Sequence, residues 1–269
     1  MPARPEAAPI FHRLHEGPDV LVLANVWDAF SAKLAADAGA KAIATSSAAV
    51  AWAHGYGDGH HLPTAKLIAT IEEIARVVSI PITADVEGGY SDDPAQAGEN
   101  IAAFIGAGAV GINLEDGTLA PDVLCRKIEA ARKAGERTGV QLFINARTDV
   151  YLKQLATGEA ALAETIRRGN LYREAGASGF FVPGPTDAGL LGTVVREAAL
   201  PLNVMARKGA PALAELKQIG VRRLSAATAI GRAAYSAAQK AAAAFLQSGD
   251  GDALAEAAGP SVDYNKLFP

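Results

Sequence analysis

Ala-Gly-Ala-Val-Gly-Ile-Asn-Leu-Glu-Asp, residues 107–116, carries the fold in ten positions. A glycine flanked by alanines is how a helix stops, and the apolar run behind it is too short and too β-compatible to be another helix. The run ends in Asn113, Glu115 and Asp116, polar groups gathered where a strand should give way to a loop. The same Ala-Gly-Ala punctuation recurs at 38–40 and 175–177, each time leading into a strand. Working outward, strand-like runs fall at 20–26, 42–47, 81–87, 110–116, 141–149, 179–184, 201–206 and 222–228. Helical stretches lie between them at 29–38, 64–78, 94–107, 122–138, 159–175, 187–197, 210–219 and 230–246. Alternation of this kind predicts parallel strands joined by helices. Near-equal units, and the absence of a glycine-rich fingerprint in Asn25-Val26-Trp27-Asp28 after the first strand, favour a single eight-stranded β/α barrel over an open doubly wound sheet.

The 269 residues are half apolar and 20% charged, which excludes disorder as the dominant state. With 25 basic and 29 acidic residues the net charge is −4, so there is no basic field to hold a nucleic acid. One cysteine, Cys125, rules out intrachain disulfides and multi-cysteine metal sites and is read as inert packing. No apolar stretch is long enough to span a membrane, and the expected compartment is the cytoplasm. The expected organisation is an N-terminal extension (1–16), a catalytic barrel (17–247) and a C-terminal tail (248–269), in which Tyr264, Leu267 and Phe268 can dock on the body or on another subunit.

In a β/α barrel, catalytic groups collect at the C-terminal ends of the strands. Asp85 and Glu87 share a face at the end of the third run, and Glu115 comes from the neighbouring strand. Oxygen donors without His or Cys suit a hard divalent cation, Mg²⁺ held partly through water, with Mn²⁺ next. The bland alternative pairs these acids with lysine or arginine. Arg147, with Asn145 on the same face, can grip a carboxylate or a developing enolate oxygen, or merely neutralise the acids. Ser46 and Ser47 can form an anion pocket or cap a helix. Asn113, at the end of the fourth strand, and Asn203, at the end of the seventh, are further polar contacts. The segment His-Gly-Tyr-Gly-Asp-Gly-His-His (54–61) reads as a mobile loop over the rim, with Asp58 able to reach a metal water. His60 and His61 are read as solvated, Trp27 as packing and Asp28 as a helix cap.

Ala44-Thr45-Ser46-Ser47, Gly55-Tyr56-Gly57-Asp58, Thr83-Ala84-Asp85-Val86-Glu87-Gly88-Gly89-Tyr90, Gly111-Ile112-Asn113-Leu114-Glu115-Asp116 and Asn145-Ala146-Arg147-Thr148-Asp149 together resemble the isocitrate lyase/phosphoenolpyruvate mutase superfamily, over nearly the whole chain. The resemblance implies a β/α barrel, commonly with the last helix swapped between subunits in a homo-oligomer, and a Mg²⁺ that holds a small 2-oxo or 2-hydroxy acid. It implies Asp85, Glu87 and Glu115 around the metal, Asp58 near it, Ser46 and Ser47 with the substrate carboxylate, and Arg147 with substrate oxygens. The implied chemistry makes or breaks a bond beside a carbonyl through an enolate.

The sequence also departs from that pattern. The similar lyases carry Lys-Lys/Arg-Cys-Gly-His on the loop after the fourth strand, whereas this chain runs Asp116-Gly117-Thr118-Leu119-Ala120-Pro121 into a helix, and Cys125 lacks the following Gly-His. The lysine and asparagine of the mutases and phosphonopyruvate hydrolases are missing there too. Glu87 stands where aspartate is common and Ser47 where glycine is common. Val182-Pro183-Gly184-Pro185 ends the sixth strand without an acid, which favours a small substrate. The expectation is a Mg²⁺-dependent lyase that cleaves a carbon–carbon bond in a small dicarboxylate, oxaloacetate decarboxylase-like or methylisocitrate lyase-like. Decarboxylation asks least of the missing loop, because carbon dioxide leaves without an acid and water can protonate the enolate. The alternatives are carbon–phosphorus chemistry on a phosphonopyruvate-like acid and a non-catalytic barrel that binds a 2-oxo acid.

Overall fold

The computed structural model describes residues 3–260 and 262–268. Met1, Pro2, Ser261 and Pro269, at the edges of the expected extension and within the tail, lie outside the described residues. In chain order the elements are α1 (Ala7–Arg13), β1 (Leu21–Leu23), β2 (Asn25–Val26), α2 (Ala29–Asp37), β3 (Ile43–Thr45), α3 (Ser47–Ala53), α4 (Thr64–Val77), β4 (Ile82–Asp85), α5 (Pro94–Gly106), β5 (Gly111–Glu115) and α6 (Pro121–Thr138). They continue with β6 (Phe143–Arg147), α7 (Gly158–Glu174), β7 (Gly179–Phe181), α8 (Ala188–Ala198), β8 (Leu202–Met205), α9 (Leu213–Ile219), β9 (Arg223–Ser225), α10 (Ala229–Ser248) and α11 (Gly251–Ala258). A 3₁₀ turn follows at Tyr264–Leu267.

All strand pairs are parallel, in the order β1-β9-β8-β7-β6-β5-β4-β3-β2. The expected eight strands are therefore nine. The difference arises in the first run, where Leu21–Leu23 pair with β9 and Asn25–Val26 pair with β3. The chain changes partner at Ala24, so one segment serves both edges and the barrel nearly closes. Asn25 secures that seam: its Nδ2 donates to Thr45 O at 2.8 Å and its Oδ1 accepts from Ala227 N at 2.9 Å. The expected helix at 210–219 starts only at Leu213, since Pro211 keeps the residue before it out of helical conformation.

Helix α1, unmarked by the sequence reading, closes the N-terminal end of the barrel. Phe11 is fully buried, its ring edge-on to Phe143 at 5.3 Å, and a Cβ built on Gly111 would lie 2.6 Å from it. Truncating a buried phenylalanine costs about 3–5 kcal/mol. Phe11→Ala is accordingly expected to lower the unfolding free energy by about that amount, read from the urea midpoint at unchanged m-value. A loss below about 1 kcal/mol would show that the floor does not depend on α1.

At the other end of the chain, α10 stands off the barrel, with only Gly231 buried. Tyr264 and Phe268 of the tail dock on this chain's own Phe30, at 5.1 and 5.8 Å between rings. Among the described residues no helix is long and apolar enough to cross a membrane.

Candidate active site at the C-terminal rim

Strand register delivers the polar rim. Asp85 ends β4 and pairs with Asn113, while Glu115 ends β5 and pairs with Arg147 of β6. The Asp85 backbone amide donates to Thr45 Oγ1 at 2.8 Å. Its Oδ2 accepts from the Ser47 amide at 3.2 Å and the Ser47 hydroxyl at 3.0 Å. Its Oδ1 is buried with no partner among the described residues. A buried carboxylate oxygen left unsatisfied is costly unless something binds there.

Ser46 and Ser47 are both tied down locally. Ser46 caps α3, its Oγ accepting from Ala49 N at 3.4 Å, and Ser47 is spent on Asp85. The cap reading thus holds for Ser46, and Ser47 orients the acid.

Glu87 sits in a tight turn at φ +51, a left-handed conformation that a residue with a Cβ adopts at a cost of about 1–3 kcal/mol. Gly89, at φ +85, is required there, because a Cβ would lie 2.9 Å from that of Ala97. Three side chains pin this turn. His60 Nε2 accepts from the Gly88 amide at 2.9 Å, Lys127 Nζ donates to Gly88 O at 2.8 Å, and Asn100 Nδ2 donates to Gly89 O at 2.9 Å. The His60 backbone amide donates to Glu87 Oε2. His60, read from sequence as solvated, therefore docks the 54–61 loop onto the acid turn, and His61 stays exposed as read. Asp58 is exposed in that loop and makes no hydrogen bond among the described residues, while its charge bears on Glu87.

Arg147 lies between two acids. Nη1 meets Glu115 at 2.5 Å, and Nε and Nη2 hold Asp149 two-pronged at 2.7 and 3.1 Å. Asp149 is fully buried, and its amide donates to Asp116 Oδ1 at 2.8 Å. Asp116 Oδ2 accepts from Arg168 at 2.8 Å and from the Tyr172 hydroxyl at 2.6 Å, both on α7. Burial pushes Glu87 up to about 7, and it raises Glu115 as well, there against the lowering effect of Arg147. Each is also raised by the other acids of the rim, so the cluster is short of positive charge.

Asn113, Asn145 and Asn203 are buried in the barrel bore. Asn145 Nδ2 donates to Asn113 Oδ1 at 2.9 Å, and Asn203 Oδ1 accepts from Ser225 at 3.1 Å. Arg223, which sequence reasoning passed over, crosses the bore to reach Asn113 Oδ1 at 3.2 Å. Its signal was the spacing of Arg223 and Ser225, two apart on one strand and hence on one face.

Among the described residues no three His, Cys, Asp or Glu side chains stand close enough together to ligate one ion directly. Glu87 and Glu115 each spend one oxygen, on the His60 amide and on Arg147, whereas Asp85 Oδ1 is a buried carboxylate oxygen with no partner among the described residues. That pattern fits Mg²⁺, which keeps several waters and is commonly held by one or two carboxylates. Asp85 would hold the ion directly, with Glu87, Glu115 and Asp58 through water. Beside this rim lies a cavity of about 350 Å³, lined by His60, Glu87, Glu115, Asp92, Lys127 and Lys153 among others. Its size suits a small acid.

A family model described as phosphoenolpyruvate phosphomutase matches residues 11–246. An uncharacterized protein of Mycobacterium tuberculosis is 34% identical over 263 residues, covering 96% of this chain and 94% of its own. The oxaloacetate decarboxylase of Pseudomonas fluorescens is 29% identical over 239 residues, covering 86% and 80%. Among solved structures, 2,3-dimethylmalate lyase superposes with a TM-score of 0.81 at 27% identity, covering 91% of this chain and 89% of that one.

Proposed function

Since the chain belongs to the phosphoenolpyruvate mutase/isocitrate lyase superfamily, we propose that it is a Mg²⁺-dependent lyase cleaving a carbon–carbon bond in a small 2-oxo or 2-hydroxy dicarboxylate, oxaloacetate foremost. The observation that carries the proposal is the unpartnered Asp85 Oδ1, fixed by Ser47 and set beside the Glu115–Arg147 pair. Similarity to an oxaloacetate decarboxylase and to a dimethylmalate lyase, both named for small acids, supports the substrate class.

When bound, Mg²⁺ supplies a Lewis acid that polarises the 2-oxo group. Arg147 supplies the second positive charge. Asp149 locks its Nε and Nη2, which leaves Nη1 as the end that can exchange Glu115 for a substrate oxygen. As the carbon–carbon bond breaks, its electron pair moves into the enolate, and Arg147 stands where the oxygen gains charge, a preorganised arrangement that needs no rearrangement at the moment of reaction. Carbon dioxide leaves unassisted, and water entering from the cavity protonates the enolate carbon. The loop from Asp116 to Ala120 is too short to bring in an acid of its own.

Incubation with oxaloacetate and Mg²⁺ should yield pyruvate and carbon dioxide, and phosphonopyruvate should be untouched. Turnover of phosphonopyruvate alone would replace the reading with carbon–phosphorus chemistry, and turnover of neither would overturn the named substrate.

The same reading includes a homo-oligomer. Val22 on β1 is 50% exposed, and Leu246 of α10 is 84% exposed, so a barrel strand lacks a cover and a helix lacks a partner. We place a second copy's α10 over such uncovered surface. Leu246→Glu with Phe245→Glu should convert an oligomer to a monomer in light scattering; a wild-type chain that is already monomeric would refute it.

A further inference from the structure

Arg223 is 1% exposed, and its hydrogen bonds go only to neutral groups: Nε to Ser225 Oγ at 3.1 Å and Nη2 to Asn113 Oδ1 at 3.2 Å. Nη1 has no partner among the described residues. Asn203, on the adjacent strand and equally buried, has an unpartnered Nδ2, its Oδ1 being taken by the same Ser225. Two buried groups that can only donate thus share a network with nothing to receive them. An unpaired buried guanidinium is among the costlier features a core can carry. Burial pulls the Arg223 guanidinium down to about 9, and the Asp85 carboxylate is the charge that offsets this.

The position of these donors matters as much as their want of acceptors. Following the pairing around the barrel, Glu115 faces Arg147, Arg147 faces Phe181, Phe181 faces Asn203 and Asn203 faces Arg223. The two donors therefore close the row that opens with the catalytic pair, and Arg223 reaches back to Asn113, the register partner of Asp85. Ser46 and Ser47, which would otherwise receive a substrate carboxylate, are committed to Ala49 N and Asp85. Below, His15 Nδ1 bonds Phe11 O at 2.9 Å, and burial pulls its imidazole down to about 3, so it brings no charge of its own to the floor.

We propose that Arg223 Nη1 and Asn203 Nδ2 form a deep subsite for an anionic oxygen of a small carboxylate, lying in the bore beneath Asp85. This rests on the function proposed above and deepens it: the bore takes a carboxylate of the substrate while Arg147 faces the reacting carbonyl. A water can meet the two donors' hydrogen-bonding need but brings no charge, whereas a carboxylate meets the donors and adds a counter-charge in direct contact with the guanidinium, which Asp85 supplies only without a hydrogen bond among the described residues.

The test uses the full chain with saturating Mg²⁺ and oxalate as probe, by calorimetry and in crystals soaked with oxalate or bromide. Asn203→Ala should weaken oxalate about tenfold, the effect of losing one donor to a charged group, and Arg223→Lys by more. Affinity for Mg²⁺ alone should stay within about twofold in Asn203→Ala, with cooperative melting as the check that it is folded, so the result does not depend on Arg223→Lys folding. An oxalate oxygen at both donors, displacing bromide, is the expected crystal result. Unchanged oxalate affinity in Asn203→Ala, waters alone at both donors, or bromide that persists there while oxalate binds elsewhere would each overturn the subsite. Oxaloacetate turnover with such a result would leave the lyase reading standing, and oxalate held at the donors without turnover would do the reverse.

Discussion

Replacing Arg147 by glutamine is expected to lower kcat by about 10²–10³, the loss usual when one preorganised charge stabiliser is removed. The same change should also lower stability, because Asp149 is fully buried and Arg147 is its two-pronged partner. Breaking a buried pair by removing one member costs about 3–5 kcal/mol. The two effects separate by temperature. Activity measured well below the melting transition reports the chemistry, and the melting curve reports the pair. Arg147→Lys keeps the charge but loses the fork that holds Asp149 and Glu115 together, so it should restore part of the stability and little of the rate. A glutamine variant with near-normal kcat would leave Arg147 as a structural counterion only.

The second large effect is on Asp116. This side chain receives the Asp149 amide on one oxygen and Arg168 and Tyr172 on the other, which ties β6 to α7 through β5. Asp116→Ala leaves Arg168 Nη1, the Tyr172 phenol and the Asp149 amide without their acceptor, while Arg168 Nε keeps Glu164. A loss of about 3–5 kcal/mol in unfolding free energy is expected, read from denaturant midpoints. Asp116→Asn, which keeps the shape and one acceptor, should lose less. If both variants unfolded at the wild-type midpoint, the network would contribute nothing and the fixed pose of Arg147 would need another cause.

Much of this was legible in the sequence because strand ends write themselves as apolar runs closing on polar residues. Asp85, Glu115 and Arg147 were found that way, and the structure sets Glu115 directly against Arg147. The split at Ala24 was not legible, since periodicity shows a strand but not that one segment must serve two neighbours. Nor was α1: its seven residues include Pro9 and too few turns for a 3.6-residue period to emerge. The partners of Asp116 lie 52 and 56 residues downstream on a helix, a separation that only the fold bridges. His60 is exposed as read, but its hold on the acid turn was not legible, since it rests on a backbone amide and one ring nitrogen meeting residues 27 and 28 positions away.

The account stands most directly on Asp85 as the seat of a divalent ion. A calorimetric titration of Mg²⁺ with oxalate present, in the parent chain and in Asp85→Ala, measures this. Saturable binding in the parent that disappears in the variant, with both chains melting cooperatively, is the predicted result; identical heats in the two would contradict it.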